Sequence, residues 1–371
     1  MLFRSENFST VITDSTIRSS SVSANYNGGG GIIGVMQAGT IDVERCDVLD
    51  TTISGVHGAA GVIGGYATTP FKYSSNYEYD EQKIVVKNCN VLGDTISMNG
   101  GYGSSAGIMG MMWYAGIESY RSITIQDCMV GKYEDKATEI YNGGNTSSGG
   151  IFAGIFESNK GSYDVDIGGC TTDGVIFTGN PNEIAGIVGG MNGSMQNMDV
   201  RIHNCNVTNC ELGGEEGIAG NKAGILGGVN QMNTDYVGKF RVAIEDCNVT
   251  NNNIGGDFRL LSNFSNAGGI VGCWIYGEYS EGLTIKNCKV EDLTVEKNAT
   301  CTGGLIGHIR SVKLMIGALT NAIAEVNGNE MIDYLTEEDK NSLKKYLMMS
   351  GINENKIDIK NFAQNFGKTT M

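Results

Sequence analysis

Short stretches of alternating apolar and polar residues recur along most of the chain. One of them has apolar residues at Leu283, Ile285, Cys288, Val290 and Val295, with mostly polar residues between them. Alternation with a period of two marks a strand with one buried face, whereas the step of three from Ile285 to Cys288 breaks that alternation. The pattern therefore predicts short strands that are joined by bends.

The same frame recurs around a series of seven cysteines. They are Cys46, Cys89, Cys128, Cys170, Cys205, Cys247 and Cys288. The residue before each of them is, apart from Arg45, of a type that tolerates a left-handed backbone. These preceding residues are Asn88, Asp127, Gly169, Asn204, Asp246 and Asn287. We therefore expect a sharp one-residue corner before each cysteine.

A second motif, Gly-apolar-apolar-Gly, alternates with the cysteine frame. It begins at Gly31, Gly61, Gly107, Gly186, Gly224, Gly269 and Gly304, with a variant at Gly150. Short strands that recur with loops of variable length stack naturally as coils of a solenoid. The sequence thus predicts an all-β fold over residues 1–312: a right-handed parallel β-helix, or β-solenoid, of about eight three-strand coils. The cysteines would form an internal ladder, and insertions would lie along one edge.

The frame also extends to the start of the chain. Ser15 takes the cysteine position there, and Asp14 takes the corner position. No glycine motif precedes this coil, and no signal peptide is visible in the segment. We therefore expect that the N-terminus is truncated in mid-coil.

The pattern changes in residues 313–371. Leu314, Leu319 and Ile323 have helical spacings, and Thr336 followed by acidic residues is typical of a helix start. A helical segment at this end would cover the last coil. The sequence thus predicts a short α-helical C-terminal cap.

A second interpretation of residues 313–371 is a degenerate dockerin-like segment that binds calcium. A weak duplication resembles the two calcium loops of a dockerin. Its candidate calcium ligands are Asn327, Asn329, Asp333, Asn353, Asn355 and Asp358. The first aspartate of each loop is replaced, by Glu325 and by Gly351, so few carboxylates remain for calcium.

Composition and charge limit the classes of partner. The 371 residues include 55 glycines, 2 prolines and 10 cysteines, and the formal net charge is −15. Nucleic acid is not expected as a partner, because its phosphates require clustered lysines and arginines. No apolar run reaches the roughly 18 residues of a membrane span, so we expect no membrane insertion in this segment.

The cysteines and histidines favour structural roles over catalysis or metal binding. Stacked ladder cysteines point the same way at about the coil spacing, which is unfavourable for disulfides, so we expect reduced, buried thiols that act as small apolar residues. Cys210, Cys273 and Cys301 lie off the ladder, and the last two are candidates for a disulfide. The three histidines are His57, His203 and His308, which lie in different coils. We therefore predict neither a catalytic triad nor a metal site in the repeats.

Two features resemble known families. The elements Gly268 to Gly272 and Gly303 to Gly307 resemble the glycine-rich GLUG repeat of bacterial surface proteins. The corner asparagine before a stacked inward residue is similar to the asparagine ladder of pectate-lyase-type β-helices. The resemblance covers about residues 8–310 and implies an exported, extracellular or cell-surface bacterial repeat region without a cofactor. Its partner would be a glycan or a host or bacterial surface protein.

Two sets of residues are candidates for function. Loop aromatic residues suit sugar or protein recognition, and we select Tyr73, Tyr77, Tyr79, Trp113 and Tyr114. Acid–base chemistry would need converging charges, and the outward positions supply Asp42, Glu44, Asp164, Asp166, Asp199, Arg201, Glu245 and Lys286. These charges are dispersed along the chain.

We therefore expect a structural or adhesive repeat region that is not an enzyme. One alternative is a carbohydrate-active β-helix enzyme, either a polysaccharide lyase or a glycosidase, because enzymes also use this fold. A second alternative is attachment to a scaffold through the dockerin-like segment in residues 313–371.

Overall fold

The part of the chain that the structure describes forms an all-β parallel solenoid. A computed structural model describes residues 9–25, 28–36, 39–67, 82–101, 103–114, 120–157, 162–193, 197–213, 220–230, 240–256, 266–275, 280–296, 299–310, 316–320, 323–326 and 329–330. Strands in these ranges assemble into four sheets that run along the solenoid. Each strand pairs in parallel with its equivalents in the neighbouring coils, apart from one antiparallel pair near the C-terminal end.

The first two sheets contain the strands on either side of the cysteine corner. In the part of the chain that is described, the first sheet has nine strands: Ser9–Thr13, Thr40–Glu44, Gln82–Lys87, Tyr120–Gln126, Ser162–Gly168, Asn197–His203, Phe240–Glu245, Ser280–Lys286 and Ile316–Thr320. The second sheet has seventeen strands within the same ranges: Thr16–Arg18, Ser21–Ser23, Asp47–Leu49, Thr52–Gly55, Asn90–Leu92, Thr95–Met98, Met129–Gly131, Glu139–Asn142, Thr171–Asp173, Ile176–Gly179, Asn206–Thr208, Glu211–Leu212, Asn248–Thr250, Asn253–Ile254, Lys289–Val295, Ile323–Val326 and Asn329–Glu330.

Each glycine motif begins where a strand of the third sheet ends, before the chain enters the fourth sheet. Eight described strands form the third sheet: Gly28–Gly30, Gly58–Ala60, Ser104–Ala106, Ser147–Gly149, Glu183–Ala185, Asn221–Ala223, Asn266–Gly268 and Cys301–Gly303. Seven described strands form the fourth sheet: Tyr66–Ala67, Met109–Tyr114, Phe152–Glu157, Val188–Gly193, Leu226–Asn230, Val271–Ile275 and Ile306–Arg310.

The predicted corner before each cysteine is confirmed. The preceding residue has a positive φ throughout the series, including 52° at Asn88, 64° at Gly169 and 54° at the exception Arg45. A second corner lies four residues after most of the cysteines, as at Asp50, where φ is 47°, and at Asn209, where it is 55°. Complete coils therefore have up to five strands, and the prediction of three strands per coil was wrong.

The cysteine ladder is buried inside the corner, as predicted. None of the ten cysteines forms a disulfide, so the candidate bond between Cys273 and Cys301 is absent, and Cys301 alone is partly exposed. The neighbouring ladder thiols and burial raise the pKa of Cys170 well above its usual value. Cys210 lies off this ladder, as expected, and it occupies the position after the second corner, where burial raises its pKa to about 12.

Each ladder thiol also makes a hydrogen bond that its apolar character does not suggest. The Sγ–H group lies within hydrogen-bonding distance of the carbonyl oxygen two residues earlier, at 3.2 Å from Cys89 to Lys87 and at 3.4 Å from Cys170 to Gly168. Ser15 donates the equivalent bond to Thr13 at 2.9 Å. The position after the corner therefore selects a small side chain that can donate a hydrogen bond.

The first glycine of each motif is required by the close approach of neighbouring coils. A Cβ atom at Gly107 would collide with the backbone oxygen of Gly150 and with the side chain of Val130. Gly61, Gly186, Gly224 and Gly269 face the next coil in the same way. The motif is thus a steric requirement of the stacking at this point of the coil.

The structure changes the expected start of the helical cap after the repeats. Strands Ile316–Thr320 and Ile323–Val326 lie where the sequence predicted the beginning of a helical cap, and no helix occurs in the described ranges. Hence no described helix is long and apolar enough to cross a membrane.

Most of the predicted C-terminal features lie outside the described residues. These include Asn327 and residues 331–371, with the predicted helix start at Thr336. Of the proposed calcium ligands only Asn329 is described, and it lies in a two-residue strand.

Insertions occur along more than the single predicted edge. The chain between the fourth sheet and the next strand of the first sheet varies in length, as expected. The connection from the second to the third sheet varies too, from the short link between Gly55 and Gly58 to the longer one between Ile254 and Asn266.

Candidate functional site

The outward face of the first sheet brings together charges that the sequence suggested were dispersed. Asp164 pairs in register with Asp199, and Asp166 pairs with Arg201 on the same neighbouring strand. Glu245 lies one strand further along, in register with Lys286. Asp42 and Glu44 lie three strands away from Ser162–Gly168 on the other side. The described part of the first sheet therefore carries one charged patch on the strands from Ser162–Gly168 to Ser280–Lys286, and Asp42 and Glu44 lie outside it.

The charges of this patch partner one another across the coils. The guanidinium of Arg241 binds both carboxylate oxygens of Asp199, with 3.0 Å from Nε to Oδ1. Arg201 lies 3.5 Å from Glu245, and the hydroxyl of Tyr120 donates to Asp164 at 3.2 Å. These exposed pairs contribute little to stability individually. They do link each carboxylate to a donor on a neighbouring strand.

The single histidine of the patch is held by two hydrogen bonds. Nε2 of His203 lies 3.1 Å from Oδ1 of Asp166, and Nδ1 lies 3.0 Å from Nδ2 of Asn204. Nε2 can donate to the carboxylate, and Nδ1 can accept from the amide nitrogen. The ring packs over Gly168, where a Cβ atom would overlap it. Both ring nitrogens are therefore engaged in hydrogen bonds within the patch.

A thiol and an imidazole meet near the C-terminal end of the fourth sheet. Sγ of Cys273 lies 3.9 Å from Nδ1 of His308, a pairing that the sequence did not suggest because the residues are in different coils. Cys273 is 1% exposed, which keeps its sulfur from a substrate. No group of three histidine, cysteine or acidic side chains placed to hold a metal ion occurs among the residues described.

Aromatic residues border the connection from the fourth sheet to the first. Trp113 and Tyr114 are the last residues of strand Met109–Tyr114, and Trp113 is in register with Phe156 on the next strand. Phe156 is 40% exposed, and Tyr120, which begins the following first-sheet strand, is 42% exposed. We name Trp113, Tyr114, Tyr120 and Phe156 the aromatic edge.

The aromatic edge contains two of the five predicted binding residues. Tyr73, Tyr77 and Tyr79 lie outside the described residues. Phe156 was not among the predicted binding residues. Its exposure could have been predicted, because it follows the buried Ile155 and alternate residues of a strand point to opposite faces.

Comparison of the chain with protein-family models, with curated proteins and with solved structures finds no match.

Proposed function

We propose that the protein is a non-catalytic, adhesive solenoid that binds glycans along its aromatic edge. The observation that carries the proposal is the exposure of Tyr120 and Phe156, at 42% and 40%, on either side of the same row of connections. A sugar ring has an apolar face that stacks on an aromatic ring and hydroxyls that need polar partners. Asp164, which accepts from the hydroxyl of Tyr120, and Asn197 lie on the adjoining strands as such partners.

The pairing of the charged patch favours binding over catalysis. Glycoside cleavage needs one carboxyl group that donates a proton and another that acts as base or nucleophile. Asp199 is bound by Arg241, and Glu245 lies next to Arg201, so both carboxylates already have a cationic partner. A second candidate function is a carbohydrate-active enzyme, which is favoured by the gathering of Asp164, Asp166 and Asp199 on one face.

The wider setting belongs to the same proposal. A right-handed solenoid of about eight coils on a bacterial surface would present the aromatic edge away from the cell. Right-handed winding is supported by the strong preference of parallel strand connections for that hand. The coil count is supported by the eight described strands of the third sheet.

Retention on a panel of immobilised glycans tests this function. We expect the protein to be retained without any product, and Tyr120→Ala and Phe156→Ala each to weaken binding about fivefold to tenfold, since one aromatic contact contributes about 1 kcal/mol. The matched control is Tyr141→Ala, because Tyr141 is 39% exposed on the second sheet and should leave retention unchanged. Release of cleaved sugar would support the enzyme instead, and equal loss in all three variants would contradict the proposed edge.

A further inference from the structure

In four coils the residue after the second corner repeats the hydrogen bond of the cysteine ladder. Its side chain donates to the carbonyl oxygen two residues earlier. The bonds run from Ser20 to Arg18 at 2.9 Å, from Thr51 to Leu49 at 3.0 Å, from Cys210 to Thr208 at 3.2 Å and from Asn252 to Thr250 at 3.0 Å. Asp94 occupies the same position in its coil, and an ionised carboxylate has no proton to donate.

Asn252 shows what a two-ended side chain does in this position. Its Oδ1 accepts from the backbone N–H of Cys210 at 2.8 Å, in the preceding coil. Its Nδ2 donates to the carbonyl oxygens of Val207 at 2.9 Å and of Thr250 at 3.0 Å. One amide group therefore joins two coils and closes the corner.

Asp94 reproduces the accepting half of this arrangement. Its Oδ1 accepts from the backbone N–H of Thr51 at 2.6 Å, in the preceding coil. Its Oδ2, in contrast, is buried without a hydrogen-bond partner, and the whole residue is 0% exposed. The carbonyl oxygens of Val48 and Leu92 hold the places that Val207 and Thr250 hold around Asn252. A proton on Oδ2 would supply the missing donor.

The surroundings of Asp94 favour its neutral form. Burial raises the pKa of this carboxyl group from 3.8 to about 7. The charged groups nearby oppose each other, because Lys136 lowers that pKa and Asp50 raises it. These two groups also pair with each other at 2.7 Å.

We propose that Asp94 is a neutral carboxylic acid in the folded protein and donates a hydrogen bond from Oδ2 to a carbonyl oxygen of the corner. The second corner is thereby a pH-sensitive joint between coils. The protonated acid donates the hydrogen bond that the amide group of Asn252 donates at every pH.

The sign of the pH dependence follows from linkage. A carboxyl group whose pKa is raised by folding contributes its full stability below the unfolded value of 3.8 and loses it as the pH rises through about 7. Between these limits the contribution of Asp94 to the folding equilibrium falls by about tenfold per pH unit.

Unfolding of Asp94→Asn and wild-type protein in urea at pH 4.5 and pH 8 tests the proposal. We expect the asparagine variant to be the more stable at pH 8, and its advantage in the folding equilibrium to shrink by about two hundredfold at pH 4.5. Asp50→Asn is the control, because Asp50 forms the equivalent corner of the preceding coil and Lys136 holds its pKa below the usual value, so this variant should gain no stability at pH 8.

An asparagine variant that is no more stable than the wild type at pH 8, or that gains equally at both pH values, would overturn the proposal. Infrared spectroscopy of the native protein gives a second test that does not depend on the stability of the variant. The wild type at pH 6 should show the C=O stretch of a protonated, buried carboxyl group that disappears on alkaline titration near pH 7. Its absence at pH 6 would contradict a neutral Asp94.

Discussion

Replacement of Gly150 by alanine is expected to lower the free energy of unfolding by about 3 kcal/mol or more. The new Cβ atom would lie 2.5 Å from Oγ1 of Thr172 and closer still to the carbonyl oxygen of Gly186, both in the next coil. Thr172 donates a hydrogen bond of 2.7 Å to that same oxygen, so the variant disturbs two groups at once. Hydrogen bonds between the backbones of neighbouring coils fix both sides of the clash. One of them joins Gly150 N to Ala185 O at 3.0 Å.

Gly101→Ala is the matched control for this prediction. A Cβ atom at Gly101 meets nothing within 4 Å, and its φ is not in the left-handed region. Alanine there should leave the stability unchanged or slightly higher, because it restricts the unfolded chain. Urea unfolding of the two variants gives the comparison, and similar stabilities for both would show that the glycine motif is not a steric requirement of stacking.

Replacement of Cys128, Cys170 and Cys205 together by alanine is expected to cost about 3 kcal/mol, whereas the triple serine variant should cost clearly less. Both changes remove the sulfur atoms, but serine keeps a donor for the carbonyl oxygen two residues earlier. Cys170 makes this contact with Gly168 at 3.4 Å, and Ser15 shows that a hydroxyl fits the same place.

The difference between the two triple variants is the informative quantity. If the ladder thiols acted only as small apolar residues, alanine would be tolerated better than serine, because a buried hydroxyl without a partner is costly. Denaturant unfolding that finds the alanine variant equally or more stable would therefore contradict the role of these cysteines as corner donors.

The first corner could be predicted because two unusual residue types coincide there. A residue such as Asn88 or Asp246 marks the left-handed position, and a cysteine follows it in coil after coil. The second corner escaped prediction because the residue after it varies in polarity, from Asp94 to Val175 and Asn252. What the residues after this corner share in most coils is a side-chain hydrogen bond across the corner. A pattern of apolar and polar residues does not predict such a bond.

The candidate site was harder to predict than the fold. Variable connections hide which residues are neighbours, so Asp164 and Asp199 are far apart in the sequence although they are adjacent in the first sheet. The helix predicted at Leu319 and Ile323 was wrong for a related reason. The spacing from Leu319 to Ile323 fits a helix, but it also fits two short strands that belong to different sheets.

The solenoid register is tested most directly by the distance between spin labels on the first sheet. Asp42→Cys and Ala243→Cys place labels on outward positions of strands that are five coils apart, in a Cys301→Ser background that leaves only buried native thiols. At about 4.8 Å per coil, we expect the backbones to be about 24 Å apart, and a label at Thr284 instead of Ala243 to add about 5 Å. Electron–electron double resonance distances that do not increase by this step per coil would contradict the solenoid.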